Sequence, residues 1–136
     1  GDAQAAIDHY ATRLDLSWLR EPYPMAVIPA RLVSADRDIV AGEVGWLREQ
    51  YSALAADWES GAIAWVCSRN RTRCLILRGV SDLVSESGGE AYGKPHVFHD
   101  GTRLVMQSLL AALPDWLACV SIKAAYTTGA GAGDIP

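Results

Sequence analysis

Residues 53–84 read ALAADWESGAIAWVCSRNRTRCLILRGVSDLV and decide how the chain is organised. Two apolar runs occur in it, and each delivers an acid where the backbone should change direction. Glu59 follows the run ending at Trp58 and opens a helical segment. Asp82 follows the run 74–80 and opens a loop. Residues 74–80 are almost continuously apolar, the pattern of a strand covered on both faces. Residues 53–57 predict a shorter strand, and residues 59–70, apolar almost all round, predict a helix buried between layers. In an open α/β sheet, ligands bind outside the carboxyl ends of strands. Two acids at adjacent strand ends are therefore a candidate site.

Outward from this stretch the pattern alternates. Ile7, Tyr10 and Leu14 at i, i+3, i+7 predict an amphipathic helix within residues 3–19. Pro22 and Pro24 prevent its continuation. Residues 25–33 predict a strand, placed at an edge, bulged or broken by Pro29. The turn after it again carries acids, Asp36 and Asp38. Residues 42–51 predict a second helix with Val44, Leu47 and Tyr51 on one face. Residues 85–95 form a Gly-rich loop, and residues 98–113 predict a helix ended by Pro114. A short helical turn is expected within 116–126, and a flexible tail over 127–136. The order α-β-α-β-α-β-α predicts an α/β fold with a mostly parallel sheet.

The 136 residues fit one domain. A net charge of −4 argues against nucleic acid as a partner. Three cysteines, an odd count without CxxC or Cys/His ligand spacing, suggest free thiols in a reducing, cytoplasmic compartment and no metal. No apolar run approaches the ~20 residues that span a bilayer, so no membrane partner is expected. His96 and His99 read as a loop pair, and Gly88-Gly89 lacks the setting of a phosphate loop. No cofactor is implied.

Each acid has two readings from pattern. Glu59 is either a first-turn acid complementing the helix dipole or, beside the indole of Trp58, an acceptor for vicinal sugar hydroxyls. Asp82 is either the side-chain acceptor of an Asx-turn or an N-cap, or a general acid in a cleft.

Three motifs now stand in order: Ser34-Ala35-Asp36, Asp57-Trp58-Glu59-Ser60-Gly61-Ala62-Ile63-Ala64 and Arg78-Gly79-Val80-Ser81-Asp82. With them the chain resembles the nucleoside phosphorylase and nucleosidase superfamily, most closely the 5′-methylthioadenosine/S-adenosylhomocysteine nucleosidases. The resemblance implies a three-layer α-β-α fold with a mixed, mostly parallel central sheet, of which residues 1–126 would form the C-terminal half. It implies cleavage of a purine nucleoside's N-glycosidic bond, by water in the hydrolases and by phosphate in the phosphorylases. Asp82 would be the catalytic acid at the purine N7, with Ser81 orienting it. Glu59 would hold the ribose hydroxyls. Trp58 would lie against the sugar and its 5′ substituent, and the backbone of Ile39 would meet the base edge. Asp38 stands where the nucleosidases commonly place a stacking Phe, and Trp58 where they usually place Met. The expected partners are the nucleoside and either further copies of the chain or a complementing N-terminal half, without which the chain should be inactive. Hydrolysis of 5′-methylthioadenosine or S-adenosylhomocysteine-type substrates is the leading expectation; a phosphate-dependent purine nucleoside phosphorylase and a non-catalytic nucleoside-binding module are the alternatives.

Overall fold

The computed structural model describes residues 3–121, apart from the side chains of Ala3 and Ala6. The elements are α1 (Ala3–Tyr10), β1 (Leu32–Ser34), a 3-10 turn (Ala41–Glu43), α2 (Val44–Tyr51), β2 (Ala55–Asp57), α3 (Ser60–Arg69), β3 (Val84–Ser85), β4 (Gly88–Gly89) and α4 (Pro95–Ala118). The protein is mixed α/β, with a small parallel sheet of β1 and β2 and a separate antiparallel pair, β3 and β4. Among the described residues, no helix is long and apolar enough to cross a membrane.

Parallel strands cannot be joined by a tight hairpin, because the chain must return to the same end of the sheet. The crossover between β1 and β2 carries the 3-10 turn and α2. Its end is tied to the first strand by Arg31, whose Nη1 donates to the Tyr51 carbonyl at 2.9 Å and whose own carbonyl accepts Leu54 N at 2.9 Å. The resulting register sets Leu32, Val33 and Ser34 beside Ala55, Ala56 and Asp57. Side chains alternate faces along a strand, so a slip of one residue would send Asp57 to the other face. The pairing of Ser34 with Asp57 is thus fixed before any side-chain bond forms.

Several elements depart from their predicted limits. The first helix stops at Tyr10, and residues 18–20 instead run beside the end of α4. There Arg20 N donates to the Cys119 carbonyl and Ser121 N to the Trp18 carbonyl, both at 2.9 Å. Of residues 25–33, only the last two are in β1, all beyond Pro29. Residues 85–95 contain β3 and β4 rather than loop alone. The helix expected to end at Pro114 continues to Ala118. A proline inside a helix costs ~3 kcal/mol through its missing donor and ring clash. Burial of the apolar part of Trp116, 3% exposed and 5.3 Å from the Tyr23 ring, works against that cost. Residues 122–136, including the predicted tail, lie outside the described residues.

The largest departure is at residues 74–80, the clearest strand of the sequence pattern. Among the described residues this segment joins no β-ladder. Apolarity marks a segment that needs cover; it does not supply a strand edge to pair with. Cys74 to Leu77 are half-buried, whereas Arg78 to Val80 are exposed. Likewise α3, apolar almost all round, is covered along one stripe: Ser60 and Ala64 are buried and Cys67 half-buried, while Ile63 and Val66 are exposed.

Helix α4 begins with Pro95 at its first position, where a proline's missing N–H costs nothing. It then crosses the segment leading to Asp82 at very close range. A Cβ on Gly101 would lie 2.1 Å from the Ser81 carbonyl oxygen. Gly101→Ala therefore sets two effects against each other. Alanine improves helix propensity by ~1 kcal/mol. The overlap is with a backbone atom and cannot be relieved by a rotamer change, so overpacking of ~1–3 kcal/mol wins. We expect a lower urea midpoint at unchanged m-value, and a displaced Ser81-Asp82 turn.

Candidate functional site

The site is built on the parallel register. Asp57 ends β2 and Ser34 ends β1, so their side chains meet: Ser34 Oγ donates to Asp57 Oδ1 at 2.7 Å. Helix α3 starts three residues after the strand end, and its first N–H groups have no partner within the helix. Asp57 Oδ1 accepts Ser60 N at 3.1 Å, and Ser34 Oγ accepts Gly61 N at 2.8 Å. Gly61 permits this approach, since a Cβ there would sit 3.1 Å from the Ser34 Cβ. The Ser60 hydroxyl donates to Asp57 Oδ2.

This arrangement settles the local role of Glu59. It occupies the N-cap position of α3 with φ −122°, yet its side chain makes no capping bond. Gly61 N, one of the two N–H groups a side chain at that position would cap, is already taken by Ser34 Oγ. Its carboxylate instead lies 3.2 Å from Arg78 Nη2 and is 58% exposed.

Arg78 closes the network. Its Nη2 is 2.7 Å from Asp57 Oδ2, and its Nε donates to Ser60 Oγ at 3.0 Å. One guanidinium fork thus spans the strand-end acid, the buried first residue of α3 and Glu59. Asp57 is 13% exposed and Arg78 42%. Burial pushes the Asp57 carboxyl upward, but hydrogen bonds from the Ser60 hydroxyl, Ser34 and Ser60 N, with the charge of Arg78, outweigh it. The carboxyl is held below its ordinary range.

Four residues after Arg78, Asp82 is half-buried and accepts the Ser81 hydroxyl at 2.8 Å. The following N–H, Leu83 N, goes to Glu90 Oε2 at 3.0 Å. Among the described residues the Asp82 carboxylate caps no backbone N–H, so it does not serve as an Asx-turn acceptor. Trp58 is 59% exposed beside Glu59. Ile39 is half-buried in the loop after β1, and its carbonyl accepts the hydroxyl of Tyr92 from beyond β4. That loop is braced by Arg37, whose Nη1 donates to Glu43 Oε2 at 2.8 Å. The Arg37 hydrogen bonds hold the Glu43 carboxyl below its usual range.

Of the sequence-predicted residues, then, the structure joins Glu59 to the strand-end network and pairs Ser81 with Asp82. Trp58 follows Asp57 directly, and Ile39 is held by Tyr92. Sequence reasoning missed Asp57 and Arg78 as the organising pair, and Tyr92 altogether. Asp57 and Arg78 stood inside the motifs, but only the parallel register and the fold of residues 70–78 bring them together. Among the described residues, no group of three or more His, Cys, Asp or Glu side chains could hold a metal ion.

The strand-end network carries the exposed Glu59 carboxylate and the Arg78 guanidinium; Trp58, next to Glu59 in sequence, is exposed, and Asp82 with its Ser81 donor belongs to the turn that follows residue 80. Carboxylates of this kind accept hydrogen bonds from hydroxyl groups. Compared with known proteins, the chain matches no protein-family model, no curated protein and no solved structure.

Proposed function

We propose that the chain carries the sugar-holding and leaving-group side of a purine nucleoside N-glycosidic bond hydrolase, acting on substrates of the 5′-methylthioadenosine or S-adenosylhomocysteine type. One observation carries this reading. The hydrogen bonds of Asp57 and Arg78 gather residues from all three motifs while leaving the Glu59 carboxylate exposed. Glu59 accepts hydrogen bonds from the vicinal ribose hydroxyls and stabilises positive charge developing on the sugar. Trp58 packs against the sugar's apolar side and the 5′ substituent. Asp82, oriented by Ser81, gives a proton to the purine N7 as the C–N bond breaks; water adds to the sugar carbon and releases one proton to solvent, and Asp82 is reprotonated from solvent. The backbone of Ile39 borders the base.

The proposed setting is a three-layer α-β-α domain in which further strands extend the parallel pair at its edges and helices cover its two faces. Parallel sheets occur almost only with both faces covered. A complementing N-terminal half or further copies of the chain supply that cover.

A second reading, a nucleoside-binding module without turnover, draws on two observations. Asp38 supplies no stacking ring, and the Ile39 carbonyl is already engaged by Tyr92. The test is adenine release from 5′-methylthioadenosine by the complete gene product, with and without inorganic phosphate. Release without phosphate is expected. Release only with phosphate makes it a phosphorylase, and calorimetric binding without release makes it a binding module.

A further inference from the structure

A second feature lies away from that site, where the end of α1 and the residues after it face the end of α3. Two adjoining hollows open there, of about 430 Å³ and 250 Å³. The larger is within the range of small-molecule sites. Both are lined by Thr12, Arg13, Ser68 and Arg71; Arg69 borders the larger and Arg73 the smaller. Four of the chain's twelve basic residues therefore meet in one groove of a protein whose net charge is −4.

Among the described residues, none of these four guanidiniums forms an ion pair. Two lie against aromatic faces: Arg69 is 5.0 Å from the Trp65 ring centre and Arg73 5.9 Å from that of Trp18, with Arg73 Nη1 also donating to the Ser121 carbonyl at 3.3 Å. The single acid on the groove is Asp15, whose Oδ1 accepts Ser17 N at 2.9 Å. Cations near the end of a helix complement its dipole, but that accounts for about half a unit charge. The last carbonyls of α3 are already capped, by Thr72 N to Cys67 O at 2.8 Å and Arg71 N to Ser68 O at 3.1 Å.

Arg71 is the informative residue. It has φ 54°, the left-handed position after a helix that glycine fills without strain. The chain places there a long charged side chain that costs backbone energy, and that side chain lines both hollows.

We propose that this groove binds a small anion bearing two or more linked phosphates. The planar five-donor fork of arginine matches phosphate oxygens in pairs. Four such forks over two adjoining hollows suit a phosphate chain rather than a single phosphate, and the Thr12 and Ser68 hydroxyls add donors.

Calorimetric titration of the chain with inorganic tripolyphosphate, and separately with a nucleoside triphosphate, tests this at low and moderate salt. Binding of both should weaken as salt rises. Equal affinities assign the groove to the phosphate chain itself; tighter binding of the nucleotide adds a contact to the base or sugar. Arg71→Gly should weaken tripolyphosphate binding about tenfold or more, while the melting temperature holds or rises because the left-handed strain is relieved. Arg13→Gln should weaken binding similarly, and Arg103→Gln on α4 should not. Absence of tripolyphosphate binding, unchanged affinity in Arg71→Gly, or an equal loss in Arg103→Gln would overturn the proposal.

Discussion

Asp57→Ala is expected to destabilise the protein by about 3 kcal/mol, the largest single stability loss from any residue of the site. The side chain is mostly buried and accepts from Ser34, Ser60 N and the Ser60 hydroxyl while lying 2.7 Å from Arg78. Removing it strands those donors and leaves Arg78 without its nearer partner. Breaking a fully buried pair costs ~3–5 kcal/mol. Because Arg78 is 42% exposed and water screens it, the lower end of that range applies. Asp57→Asn keeps acceptor oxygen but loses charge, and about half the effect should remain.

The pH dependence of stability has a definite sign. A carboxyl whose folded pKa lies below its unfolded value, ordinarily about 3.9, contributes stability that is fully present above the unfolded value. That stability is lost as pH falls through the lower folded value. For Asp57 the lost stabilisation should therefore appear below about pH 4. Urea midpoints of wild type and Asp57→Asn, measured from neutral pH downward, should converge over that acid interval. Parallel curves throughout would show that Asp57 carries no such linkage.

If Asp82 is the proposed leaving-group acid, Asp82→Asn should reduce base release about 10²–10⁴-fold, the usual contribution of a general acid. Asparagine retains the shape and an acceptor for the Ser81 hydroxyl but cannot deliver a proton. Stability should change little, since Asp82 is half-buried with one hydrogen bond to lose among the described residues. Ser81→Ala should cost less, about tenfold, because it removes only the donor that orients the acid. Adenine release monitored by absorbance, beside a thermal melt of each variant, separates a chemical defect from a folding one. Full turnover in Asp82→Asn would end the assignment of the leaving-group acid.

Element type was legible wherever local chemistry was sufficient. Helices α2 and α3 and strand β2 lie within two or three residues of the limits read from periodicity. Pro29 kept β1 to its short C-terminal part, as a residue without a backbone donor should. Misreadings arose where a distant partner decides. Pro114 should have ended α4, but Trp116 anchors the next turn against Tyr23. Residues 74–80 carry a strand's composition without a strand's neighbour among the described residues.

The site divides along the same line. The amino-acid sequence by itself determined which acids stand at changes of backbone direction, Glu59 before α3 and Asp82 after the last apolar run, because apolar periodicity and turn chemistry are local. It could not determine which acid would be consumed in holding the fold. Only the parallel register, setting Ser34 beside Asp57, decided that Asp57 satisfies the start of α3 and binds Arg78. That leaves the Glu59 carboxylate more than half exposed, with Arg78 beside it. A hydrogen bond between residues 23 apart in sequence depends on where two strands lie, and no local pattern encodes that.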